Sequence, residues 1–281
     1  MAATHSHRRL IINADDFGLS PGVSAGIVEA IEAGGVTSTS MIVNLDDFED
    51  SLGRLREHGG LSVGLHFNIT VGRALTRARS LTDRRGIFRG FSAQMLRASV
   101  GLIDSGELAL ECVAQIDKMT EAGVVPTHID SHRHVHMHPA LFRVVAHAAA
   151  LRGVPAIRVA TEPLATNPWG LAPTAKKIGL RAAARMVGAN RARWAPDHFF
   201  GLSLQGGRDF APRLHALIAR LPSGVTEIMV HPGRVDPDLS VRDGYTWQRE
   251  RELTALLSSE LRDHIARSGI EQIGFRELAS A

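Results

Sequence analysis

Short runs of aliphatic and β-branched residues recur along this chain, separated by amphipathic stretches of helix length, and that alternation limits its fold more than any other feature. The strand-like runs are residues 9–14, 38–43, 61–65, 127–131, 156–159, 199–204, 226–230 and 271–274. Helices are expected over 22–33, 46–57, 107–122, 139–152, 174–187, 211–220 and 246–268. About eight βα units within 281 residues favour a parallel sheet, and a barrel over an open doubly wound sheet. Two stretches, 72–106 and 161–197, fit the alternation poorly and read as long βα loops or lids. No linker divides the chain, so residues 1–281 are expected to form a single domain.

Composition narrows the chemistry. With 44% apolar and 22% charged residues the chain has material for a core and does not read as disordered. No apolar run approaches the ~20 residues that span a bilayer. The polar, basic start MAATHSHRRL carries no secretory h-region, so a cytoplasmic location is expected. Cys112 is the only cysteine, which excludes a disulfide scaffold and any cysteine-based zinc cage. Glycine-rich phosphate loops are missing, so no nucleotide cofactor is expected. Lysine occurs only at 118, 176 and 177, near none of the motifs below. Of 14 histidines, five fall at 128, 132, 134, 136 and 138, and a metal would have to use histidine and carboxylate ligands.

Four constellations sit directly after expected strands, at the end where βα folds build their sites. The first is Asn13-Ala14-Asp15-Asp16-Phe17-Gly18. Adjacent carboxylates repel unless a cation neutralises one. They could instead cap the next helix, but Ser20-Pro21 already supplies a cap with proline at N1. The second is His66 in Gly64-Leu65-His66-Phe67-Asn68, which alone could be a packing residue. In the third, residues 127–139, His128, Asp130, His132, His134 and His136 recur at period two and share one face wherever the segment stays extended. Converging imidazoles repel if protonated, a conflict that a metal removes. Not all can be ligands, since catalytic sites hold about three and leave room for water; the surplus would orient ligands or face substrate. The fourth is His231-Pro232-Gly233, whose turn fixes the imidazole at the sheet rim. Together these residues supply a cation site, an activated water, a base and an acid, the equipment for hydrolysing an unactivated amide or ester.

The motifs NADDFG, VTSTSMIVN, VGLHFNIT, PTHIDSHRHVHMHP and TEIMVHPG, in this order and spacing, closely resemble the YdjC-like carbohydrate deacetylases, a family that includes chitooligosaccharide deacetylases and the hopanoid-associated deacetylase. The resemblance implies a distorted (β/α) barrel, TIM-barrel-like and related to polysaccharide deacetylases, that removes N-acetyl groups from an amino sugar and releases acetate. It implies Asp16, His66 and His132 as ligands of one divalent metal, Asp15 as general base and His231 as general acid. His128, Asp130, His134, His136 and Arg158 are left as substrate-binding or ligand-orienting residues. Two imidazoles and a carboxylate suit zinc, manganese or cobalt, and the resemblance also allows magnesium. Arg133 and Ala74 depart from common family residues at positions that are not expected ligands.

Two other readings compete: a different metal-dependent amidohydrolase or phosphoesterase built on the His-x-His run, and a non-catalytic metal- or sugar-binding module. Between Leu151 and Ala195 eight basic residues (Arg152, Arg158, Lys176, Lys177, Arg181, Arg185, Arg191 and Arg193) face one acid, Glu162. Lys177, Arg181 and Arg185 would form a basic stripe on a helix, either solvated or set against anionic lipid headgroups, which would suit a lipid-linked amino sugar. No aromatic residue interleaves the stripe, so nucleic acid is not an expected partner. A homodimer is left open.

Overall fold

The computed structural model describes residues 7–164, 171–188 and 195–278, with the backbone alone at 171–173. Its centre is β1 (Arg8–Phe17), where Leu10 to Ala14 are fully buried, the setting of a parallel strand covered on both faces. Among the described residues six strands follow: β2 (Ser38–Met41), β3 (Ser62–Phe67), β4 (Ile129–Ser131), β5 (His198–Phe200), β6 (Gly224–Val230) and β7 (Glu271–Gln272). All pair in parallel, in the order β4-β3-β2-β1-β6-β5, with β7 beside the start of β1.

Among the described residues this path is open, running from β4 at one edge to β5 at the other. The fold is therefore a curled half-barrel, a barrel distorted by incomplete closure. The run at 156–159 does not form the expected eighth strand. It contributes one bridge, Ile157 to Ile129, framed by bonds from Ile129 N–H to Ala156 and from Arg158 N–H to Ile129. The next ladder bond would use the Arg158 carbonyl, which instead accepts from His136 Nε2 at 3.0 Å.

The helices are α1 (Pro21–Glu32), α2 (Phe48–Leu55), α3 (Phe91–Ser99), α4 (Ser105–Glu121), α5 (Pro139–Leu151), α6 (Leu171–Val187), α7 (Phe210–Ile218), α8 (Pro237–Arg242), α9 (Trp247–Leu257), α10 (Ser259–Arg267) and α11 (Phe275–Leu278). The helix expected over 246–268 is two, because Ser258 leaves helical backbone (φ −68°, ψ 131°) and its hydroxyl accepts the Glu260 N–H. The stretch 72–106 is organised by antiparallel bridges, Arg73 with Ile87 and Thr82 with Phe88, ahead of α3.

Where β3 meets β4 the packing has no slack. The His128 ring stacks on Phe275 with centroids 3.7 Å apart, and a Cβ at Gly64 would overlap the imidazole. Gly64→Ala is expected to cost about 1–3 kcal/mol by overpacking, read as a lower denaturant midpoint. An unchanged midpoint would show that the ring is free to move aside.

Candidate active site

The carboxyl end of β1 sets up the site. Its pairing with β2 shifts register between Ala14 and Phe17, and Asp16 lies at φ 74° in the left-handed region that short polar residues tolerate best. For both aspartates to reach one site, the sequence requires the strand to end by Asp15. Instead the strand runs on to Phe17 and bulges, which sends the two side chains to different partners. Ser20 caps α1 as expected, accepting the Val23 N–H, so neither aspartate is used as its cap.

Asp15 is gripped from one side. Arg158, fully buried, places Nη1 2.5 Å from Asp15 Oδ2 and Nη2 2.7 Å from Oδ1, and Asn13 Nδ2 donates to Oδ1 at 2.8 Å. The same guanidinium reaches Asp130 Oδ2 and Glu227 Oε1, each at 2.7 Å. One cation thus joins β1, β4 and β6. Burial opposes the Asp130 charge, but Arg158 and His66 hold its carboxyl far below the usual range. Glu227 is left with the weaker share, and burial pushes it up to about 7 against the pull of Arg158.

Asp16 faces the other way. Its Oδ2 accepts from Arg249 Nη2 at 2.7 Å, and Arg249 also holds Asp243 at 3.0 Å. Despite burial, that guanidinium and the two nearby imidazoles keep Asp16 ionised well below its ordinary value. Oδ1 is buried without a hydrogen-bond partner, 3.0 Å from His66 Nε2 in a poorly aligned approach and 4.0 Å from His132 Nε2. Both imidazoles are held through their other nitrogen. His66 Nδ1 donates to Asp130 at 2.7 Å. Thr70 Oγ1 gives its proton to Asn68 Oδ1 and so accepts from His132 Nδ1 at 2.6 Å, leaving the His132 Nε2 lone pair facing Asp16. Burial pushes His132 down to about 4, which keeps it neutral. Burial also opposes charge on His66, but Asp130 and Asp16 outweigh it and raise that imidazole to about 10.

These features fit a cation. A buried carboxylate oxygen without a partner meets two Nε2 atoms whose rings are locked by outer contacts, the usual arrangement around histidine ligands. Among the described residues, the buried Asp15, Asp16, Asp130 and Glu227 share two buried guanidinium groups, Arg158 and Arg249; even with a proton on Glu227 an excess remains that a proton on His66 or a divalent ion can offset. Among the described residues, Asp16, His132 and Asp243 cluster closely enough to share an ion, a grouping that brings in Asp243 and leaves out His66. Asp15, His66 and Asp130 form a second such cluster, but Arg158 already fills its charge.

The period-two pattern survives only through β4. After His132 the chain enters a 3₁₀ turn, His132–Met137, in which Arg133 and His134 both take φ 58°, so the later histidines do not share one face. His134 reaches the pocket, set edge-on to Phe199, while His136 turns inward and donates Nε2–H to the Arg158 carbonyl at 3.0 Å. His128 lies behind the sheet edge against Phe275 and lines no part of the pocket. His231 does line it, at the end of β6, with its N–H held by Glu252 Oε2 at 2.6 Å and its Nδ1 buried without a partner.

The pocket, of about 360 Å³, also gathers residues that the sequence did not flag: Lys176, Gln205, Asp243 and Tyr245, with Arg249 behind them. Lys176 corrects the expectation that no lysine approaches the motifs; α6 carries it in, and its Nζ contacts Gln205 Oε1 at 3.3 Å. The expected basic stripe is not a continuous solvent face. Lys177 is buried and paired with Glu162 at 3.1 Å, and Arg181 reaches the Glu162 carbonyl, because the helix turns this face inward. Arg191 and Arg193 lie outside the described residues.

Fold and site together define an α/β enzyme with a carboxylate and imidazole centre at the carboxyl ends of parallel strands. A family profile described as YdjC-like protein matches residues 9–267, and the chain belongs to that family. It is 36% identical over 271 residues to a carbohydrate deacetylase of Brevibacillus brevis, covering 96% of this chain and 99% of that one. It is 37% identical over 272 residues to a chitooligosaccharide deacetylase of Enterobacter sp. strain 638, covering 96% and 98%. Among solved structures, an Enterococcus faecalis V583 protein provisionally assigned to cellobiose-phosphate cleavage superposes with a TM-score of 0.79 at 26% identity, covering 97% of this chain and 99% of that one. No helix among the described residues is long and apolar enough to cross a membrane.

Proposed function

We propose that this chain is a metal-dependent carbohydrate N-deacetylase that hydrolyses the N-acetyl group of an amino sugar to acetate and a free amine. The observation that carries the reading is Asp16 Oδ1, buried without a well-aligned hydrogen bond between two oriented imidazoles, with Asp15 held beside it by Arg158. A divalent ion on Asp16, His66 and His132 would supply Lewis acidity for the acetyl carbonyl and for a water. Asp15 takes the proton of the attacking water, and Arg158, bonded to both of its oxygens, keeps the carboxylate aimed. His231, opposite in the pocket, gives a proton to the departing amine nitrogen, without which the C–N bond cannot break. Arg249 holds the second Asp16 oxygen, so the carboxylate presents one fixed oxygen to the pocket. The relatives named for carbohydrate and chitooligosaccharide deacetylation support this choice of reaction.

Acetate release from a panel of N-acetylated mono- and oligosaccharides and glycolipids, with the metal varied, tests the reading. Activity is expected to vanish on chelation and return with an added divalent ion, and His132→Ala is expected to lower metal content. Full turnover by metal-free enzyme would overturn the metal role, and no acetate from any member of the panel would overturn the reaction.

A further inference from the structure

Outside the pocket, a second cavity of about 540 Å³ is lined by Arg208, Trp247, Glu250, Arg251 and Thr254. Trp247 is 44% exposed, so part of its indole is open to this cavity. The Arg251 guanidinium sits 5.1 Å from the ring centroid and also donates to the Arg208 carbonyl at 2.9 Å, so the ring is braced on one side by a fixed cation. A flat apolar ring edged by charged hydrogen-bonding groups matches the chemistry of a pyranose, which has apolar C–H faces and a rim of hydroxyls.

This cavity and the pocket lie along one seam. The same two chain segments meet at both places: Gln205 and Tyr245 face the pocket, and Arg208, Trp247 and Arg251 face the outer cavity. The segments are tied together between them, where the Tyr245 hydroxyl accepts the Gly206 N–H at 3.1 Å and donates to Glu252. Only Thr246 separates Tyr245 from Trp247, a span of at most about 7 Å.

We infer that Trp247, with Arg208, Glu250 and Arg251, forms an outer sugar-binding subsite that holds a distal unit of an oligosaccharide whose acetylated unit lies in the pocket. This rests on the deacetylase reading and narrows it to an extended saccharide. The indole stacks on the C–H face of the distal sugar, while Glu250 and the arginines take its hydroxyls.

The test compares wild type, Trp247→Ala and Trp247→Phe on N-acetylglucosamine oligomers of increasing length, by acetate release and by calorimetric binding of the longest oligomer. Trp247→Ala is expected to lose roughly three- to tenfold in kcat/KM on long oligomers, through KM, and nothing on the shortest, with Trp247→Phe in between. An equal loss at every length, or none at any, would overturn the subsite. If no oligomer is deacetylated, binding separates the two ideas. Tighter binding of the longest oligomer by wild type than by Trp247→Ala upholds the subsite and rejects the reaction, and equal or absent binding rejects the subsite too.

Discussion

Asp15→Asn should lower kcat by roughly 10² to 10⁴-fold while leaving metal content unchanged. The asparagine keeps the size of the side chain and an oxygen for Arg158, which now approaches both carboxylate oxygens within 2.7 Å, but it cannot take a proton from water. The adjacent Asp16→Asn is expected to behave differently. One oxygen remains to accept from Arg249, while the anionic oxygen between His66 and His132 is lost, so metal content should fall and excess metal should restore part of the activity. Turnover and metal analysis on both variants separate the roles. If Asp15→Asn loses the metal and Asp16→Asn keeps it, the two aspartates have been assigned the wrong way round.

The largest expected loss of stability is at Arg158→Met. Methionine fills similar space but leaves Asp15, Asp130 and Glu227 buried without their shared cation, and breaking a buried pair from one side costs about 3–5 kcal/mol. The deficit should depend on pH. Even with Arg158 present, Glu227 is raised from 4.5 to about 7, so the folded state holds a proton that the unfolded chain gives up earlier. A group raised in this way favours folding below its unfolded value, and that contribution is lost as pH rises through the folded one. Without Arg158, Glu227 loses the cation that opposes its rise and Asp130 loses one that holds it low, so the deficit should be smaller near pH 5 than near pH 8. Urea unfolding at both values measures it; equal midpoints for wild type and variant at pH 8 would show that the carboxylates find other partners.

Much of the site's frame was legible in the sequence because strand ends announce themselves. Apolar runs stop where Asp15, Asp16, His66, His132 and His231 begin, and all five line one pocket. Ser20-Pro21 identified the α1 cap and so cleared the aspartates for other work. Alternation alone could not show that Arg133 and His134 adopt left-handed backbone, since neither is glycine, and the period-two histidine face ended there. Arg249 stayed hidden for a different reason. In the run Gln248-Arg249-Glu250-Arg251 it reads as a solvated helix face, and only the packing of α9 reveals it as fully buried against Asp16. Lys176 and Lys177 are neighbours of one type, yet α6 sends one to the pocket and the other to Glu162. Burial on α6 and α9 is decided by what they pack against, and local sequence does not carry it.

The incomplete closure of the sheet gives Arg158 a second consequence. Its guanidinium crosses the hollow of the half-barrel, linking β1, β4 and β6 from a segment that adds only one bridge to the sheet edge. Where a closed barrel would join its edges by backbone hydrogen bonds, one buried side chain here ties the β4 edge to β1 and β6. Any flattening of the sheet therefore separates Asp15 from its cation before the strands themselves part. With Asp15 in its proposed role as base, activity should fade under mild denaturant while the helices and most of the ladder remain in place.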